Sequence, residues 1–187
     1  MYGGIASAIA LYLWLIQSEL TSPLLWIYLS AIAALVVDVI SVFHREQKSV
    51  FNELITFAAV CLSAPFAYVA TTGHVSLLVL GLWILNTLFF SSAIFTVKLR
   101  KVKTASIWSG VAYHAIATLI IAALYAAGIL PLVTVSAFAV VLAKFSSILI
   151  WQNWYRTTAI KYVAMLETST ALLFLAIAAI SLLPSTI

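Results

Sequence analysis

The chain has 187 residues, of which 65% are hydrophobic and 7% charged, with a formal net charge of +4. So few polar groups cannot cover a surface in water, which excludes a soluble globular domain and leaves a membrane protein. Cys61 stands alone, which excludes a disulfide framework or a cysteine metal site within one chain.

Seven apolar runs, near 2–17, 23–43, 50–71, 75–97, 107–127, 131–150 and 162–183, are each long enough to cross a hydrocarbon layer about 30 Å thick as a helix rising about 1.5 Å per residue. Backbone groups in lipid must be satisfied within the segment, so the runs are read as helices and not strands. The first run opens at Met1 and has no basic stretch before it, unlike a secretory leader. Pro23 opens the second, where a missing N–H costs little. Pro65 lies inside the third and predicts a bend near Cys61, whose carbonyl loses its donor. Pro131 opens the sixth. Trp14, Trp26, Trp108, Trp151 and Trp154 lie toward the ends of runs, as interfacial anchors do. The expected fold class is an all-α polytopic transmembrane helical bundle, with residues 1–187 as a single domain because every gap is too short to fold alone.

Eight of the nine lysine and arginine residues fall in the gaps His44–Ser49, Lys98–Ser106 and Trp151–Lys161, and the alternate gaps carry none. The positive-inside tendency makes those three gaps cytoplasmic, with the N-terminus on the same side and the C-terminus opposite. The charge thus follows sidedness and not one helix face, which argues against a nucleic-acid partner and for membrane lipids.

Ionisable groups inside a span are costly, at roughly 2.5–3.5 kcal/mol for Asp or Lys at the centre, so each needs a partner or a use. Asp38, Glu53 and Glu167 each fall five or six residues from a basic gap, about 7–9 Å inside the same face. Lys144 and the Tyr113-His114 pair fall at similar depth. One reading joins them into a cytoplasm-facing cavity for an anionic amphiphile. There Asp38, Glu53 and Glu167 handle a metal or a proton, Mg²⁺ being the ion that carboxylates commonly hold against phosphate. Arg45, Lys48, Arg156 and Lys161 then contact the anion. The structural alternative pairs Lys144 with Glu167 or Asp38, or lets it reach the interface along its own stem, and gives Glu53 to the dipole of its helix. His114 is either a hydrogen-bonded structural residue or a ligand to pigment or haem, a bis-histidine haem within one chain being excluded by the want of a second intramembrane histidine. No phosphate loop, HExxH, CxxC or GxSxG motif is found, so hydrolase and redox chemistry have no support and whether the protein is an enzyme stays open.

The stretch D-V-I-S-V-F-H-R-E-Q-K-S-V-F-N-E-L from Asp38, then A-P-F-A-Y-V-A-T-T-G ending at Gly73, is similar to the YwiC-like family of membrane proteins. L-W-I-L-N-T-L-F-F-S-S-A-I-F-T-V-K-L-R-K from Leu82, Tyr113-His114 and K-Y-V-A-M-L-E ending at Glu167 continue the likeness. The resemblance implies a longer chain with two further helices upstream, so an internally assigned start is expected at Met1. Nine helices would resemble the topology of UbiA-type prenyltransferases, which bind Mg²⁺ and a prenyl diphosphate at the cytoplasmic face. Their Asp-rich motifs are missing, since Asp38 has no Asp four residues on and the gap Lys98–Ser106 is basic. Two functions are therefore expected in parallel: a binder of an anionic lipid or phosphorylated isoprenoid, and a non-catalytic subunit of a larger membrane complex that contacts pigments or lipids.

Overall fold

The computed structural model describes residues 21–101 and 106–183, without the side chains of residues 21 and 22. The expected first span therefore lies outside the described residues, as does Lys103. The described residues are all-α, with no strand among them. Six helical stretches are long and apolar enough to cross a membrane: Pro23–Phe43, Val50–Thr72, Leu77–Lys98, Ile107–Ala126, Leu132–Ile150 and Ile160–Ile180. They fit a multi-pass integral membrane protein and match the second to seventh apolar runs. The chain divides into two compact units, with the boundary between Thr87 and Leu88.

The first unit contains α1 (Thr21–Phe43), α2 (Val50–Cys61), α3 (Ser63–Thr72) and the start of α4 (Leu77–Lys98). α1 packs against both α2 and α3. Its outward side carries Leu25, Trp26, Leu29, Leu35 and Val36, all exposed; hydrocarbon matches such a face, whereas water would not. Pro65 breaks the second span as its chemistry requires. Having no N–H for Cys61, it separates α2 from α3 at Leu62, whose own N–H turns to Ala59 O at 3.1 Å. Ala58 O, left without its usual donor, accepts the Trp83 indole N–H at 2.8 Å. The break thus ties α2 to α4. Gly73 ends α3 in the left-handed region at φ 82°, its N–H on Val69 O.

The second unit contains the rest of α4, then α5 (Ile107–Ala126), α6 (Leu132–Ser136), α7 (Ala139–Ile150), α8 (Gln152–Thr157) and α9 (Ile160–Ile180). α5 ends in a Schellman motif. Gly128, at φ 68°, donates to Tyr125 O while Ile129 reaches back to Leu124 O, and Pro131 then opens α6. The sixth run was expected to be one helix. Instead Ala137, Phe138, Val140 and Val141 bond three residues back, a tight turn that divides it into α6 and α7. No proline or glycine marks that turn, so the apolar pattern alone ran straight through it. The short α8 was likewise not expected within the Trp151–Lys161 gap. α9 packs against α6 and α7, and Thr134 and Ser181 join α6 to its far end through their hydroxyls at 2.7 Å. Leu99, Phe145, Ile148, Tyr155 and Val163 form a buried cluster that includes one residue from each of this unit's two basic connecting segments.

Candidate functional site

In the first unit the polar residues gather at the α1–α2 turn. Ser49 caps α2 by accepting the Asn52 N–H at 3.2 Å, which sets Asn52 inward. The Asn52 amide is 2% exposed and donates to Asp38 Oδ1 at 2.7 Å and to Gln47 O at 3.3 Å. Asp38 is therefore held across the turn by an amide. Glu53 lies in the first turn of α2, the position the helix dipole favours for a carboxylate; it and Lys48 are both engaged in polar contacts. Arg45 occupies the left-handed region at φ 59°, exposed at the apex of the turn.

In the second unit the centre is an ion pair. Lys144 on α7 donates to Glu167 Oε2 on α9 at 2.7 Å, with side-chain exposures of 1% and 23%. Two hydroxyls on α4, one helical turn apart, complete the arrangement: Ser92 accepts from Lys144 at 3.2 Å, and Thr96 donates to Glu167 Oε1 at 3.2 Å. The Phe89 ring lies 5.5 Å from the ammonium and stacks on Phe174 at 3.9 Å. The charges are thus neutralised and hydrogen-bonded, as burial demands.

His114 has a packed environment of its own. Its Nδ1 lies 2.7 Å from Gly110 O, which fixes the proton there, and Phe145 covers one ring face at 3.9 Å and 11°. Tyr113 meets its edge and donates to Leu88 O at 2.8 Å.

Above the ion pair two arginines clasp neighbouring elements reciprocally. Arg100, just past α4, donates to Tyr155 O and to Thr158 O, two carbonyls at the C-terminal end of α8. Arg156 on α8 returns the contact through Nε to Leu99 O at 3.0 Å. Among the described residues its terminal nitrogens make no further hydrogen bond or ion pair. Lys161, in the first turn of α9, is exposed with its ammonium 5.0 Å from the Tyr162 ring. α9 begins without a side-chain cap, so its dipole adds to the positive potential there. A groove of about 510 Å³ between α7, α8 and α9 is lined by Ser147, Ile148, Trp151, Trp154 and Leu166.

Of the expected site residues, Arg45 and Lys48 lie in the α1–α2 turn of the first unit, and Asp38 and Glu53 on the two helices that flank it. Glu167, His114, Arg156 and Lys161 belong to the second. Among the described residues no three His, Cys, Asp or Glu side chains group closely enough to hold a metal ion. Sequence reasoning missed Asn52, Ser92 and Thr96 as partners of the ionised groups, and Arg100 as a structural clasp. The only available signal was helical spacing, with Ser92 and Thr96 four residues apart on one face.

No curated protein and no solved structure matches the chain. The family model described as YwiC-like protein matches residues 1–68, through α1 and α2 and into α3, and includes the Asp38–Asn52 turn. Over those residues this membrane-type helical chain is similar to that family.

Proposed function

We propose that the protein is a multi-pass membrane protein whose basic connecting segments face the cytoplasm, and that it binds there the headgroup of an anionic amphiphile, an anionic lipid or a phosphorylated isoprenoid. The observation that carries this reading is the state of Arg156: anchored through Nε to Leu99 O, it keeps its two terminal nitrogens for a ligand. A guanidinium fixed in this way presents parallel donors to a phosphate at little further cost in side-chain freedom. Lys161 follows on the next helix as a second positive charge. Arg45 and Lys48, in the turn of the first unit, serve the same class of ligand through the attraction of basic side chains for anionic headgroups.

Glu167 does not act as a metal ligand in this reading, because Lys144 and Thr96 occupy both of its oxygens. Asp38 and Glu53 remain the carboxylates of the first unit that could accompany a phosphate-bound Mg²⁺.

Native mass spectrometry of the protein released from mixed micelles of phosphatidylcholine and phosphatidylglycerol tests the proposal. Retention should favour the anionic lipid, and Arg156→Ala and Lys161→Ala should each weaken it by about fivefold, since a basic residue near an anionic surface contributes about 1 kcal/mol. Equal retention of both lipids, indifferent to either substitution, would overturn it.

A further inference from the structure

We infer that the groove between α7, α8 and α9 seats one hydrocarbon chain of that amphiphile, which makes the ligand an anionic lipid taken from the surrounding leaflet. The inference rests on the headgroup reading above and adds what the apolar part of the ligand touches. The turn at Trp151, with φ −104° and ψ 40°, swings α8 away from the line of α7, and the groove opens at that divergence. Its walls are Ile148 and Leu166, with Trp151 and Trp154 at its edge. Both tryptophans are large apolar surfaces left open, at 61% and 51% exposure. The volume of about 510 Å³ falls within the roughly 300–1,000 Å³ of ordinary ligand sites and is small for a partner helix, which would need a long face.

Position and charge select the occupant. The groove lies where the apolar span Leu132–Ile150 ends, the level at which indoles mark the boundary between acyl chains and headgroups. Arg156 follows Trp154 by two residues, and Lys161 precedes Leu166 by five. An anion held at these two cations lies at the same end of α7 and α9 as the apolar slot, and a free phosphate would leave that slot unused. A lipid with a negative headgroup fills both.

The test uses the full chain in mixed micelles, with native mass spectrometry for retained phosphatidylglycerol. Ser147→Phe fills the groove from α7 without touching the arginine clasp. Leu166→Phe fills it from α9 should the first variant fail to fold, and size-exclusion profile with helical content reports folding. Retention should fall about tenfold or more in a folded groove-filled variant, the equivalent of losing about two buried methylenes; Ser147→Ala should retain lipid as the native chain does. If folded groove-filled variants keep the lipid while Arg156→Ala releases it, the groove assignment is wrong and the headgroup reading survives. If neither kind of substitution alters retention, both are wrong. A photo-reactive group placed at Trp151 should label lipid, and labelling of a protein instead would overturn the assignment in favour of a partner chain.

Discussion

Lys144 and Glu167, on α7 and α9, form an ion pair at 2.7 Å whose remaining valences are met from α4 by Ser92 and Thr96. Three helices of the second unit thus converge on one pair of opposite charges. Desolvation opposes such a pair, and its strength depends on both members being present. Lys144→Met should therefore destabilise the protein by about 3–5 kcal/mol, because it strands a carboxylate. Lys144→Met combined with Glu167→Leu should recover most of that loss. Unfolding midpoints in detergent across the two single variants and the double variant give the coupling directly. Additive losses would mean that the pair is not the interaction holding these helices.

The reciprocal arginine clasp carries a separate prediction. Arg100 reaches Tyr155 O and Thr158 O together, a task for a planar fork and not for a single ammonium. Arg100→Lys should lose nearly as much stability as Arg100→Ala, about 1–2 kcal/mol given partial exposure. Limited proteolysis between α7 and α9 should accelerate in both variants. If lysine restores native behaviour, charge alone suffices and the two carbonyl contacts are dispensable.

The second to seventh spans were legible because an apolar run of about 20 residues has one stable form in lipid, and the break near Cys61 was legible because proline removes a definite hydrogen bond. The division at Ala137 and Phe138 was not, since tight bonds three residues back leave no residue signature there. The depth of Asp38, Glu53, Lys144 and Glu167 could be counted along each helix, and rarity marked them as needing partners. Partnership itself depends on which faces meet. Glu167 takes Lys144, whereas Asp38 takes Asn52, a residue whose inward placement comes from the Ser49 cap. Counting along a helix gives height but not rotation, so the sequence could not tell that Arg100 commits both terminal nitrogens to backbone carbonyls while Arg156 commits only its Nε.

Gly110 tests the packing around His114. A Cβ built there would stand 3.0 Å from two ring carbons of Phe145, and that ring cannot withdraw without leaving its stack on the imidazole. Gly110→Ala gains up to about 1 kcal/mol of helix propensity but forces a strained core, a cost of about 1–3 kcal/mol. Net destabilisation is expected in the native background. In a Phe145→Leu background the same substitution should become neutral or stabilising, as thermal unfolding of the four proteins would reveal. Net stabilisation by alanine with Phe145 present would show that the ring has room to move.

Tyr155 gives the second unit a defined alkaline limit. It lies between the membrane spans in α8, and burial pushes its phenol above the ordinary range; the Thr96 hydroxyl pulls it down, the Glu167 carboxylate pushes it up and the Arg100 guanidinium opposes that push. Between the unfolded value of about 10 and the higher folded value, the unfolded chain releases a proton that the folded chain keeps. The folded state then binds more protons, so stability is full below about pH 10 and declines as pH rises beyond it. Tyr155→Phe removes this titration while keeping the ring in the cluster with Leu99 and Phe145. Unfolding midpoints in detergent, compared between about pH 8 and 11, should fall more steeply for the native chain than for the variant. Parallel slopes would place the phenol in water and not beneath the clasp, and the buried cluster around it would need to be redrawn.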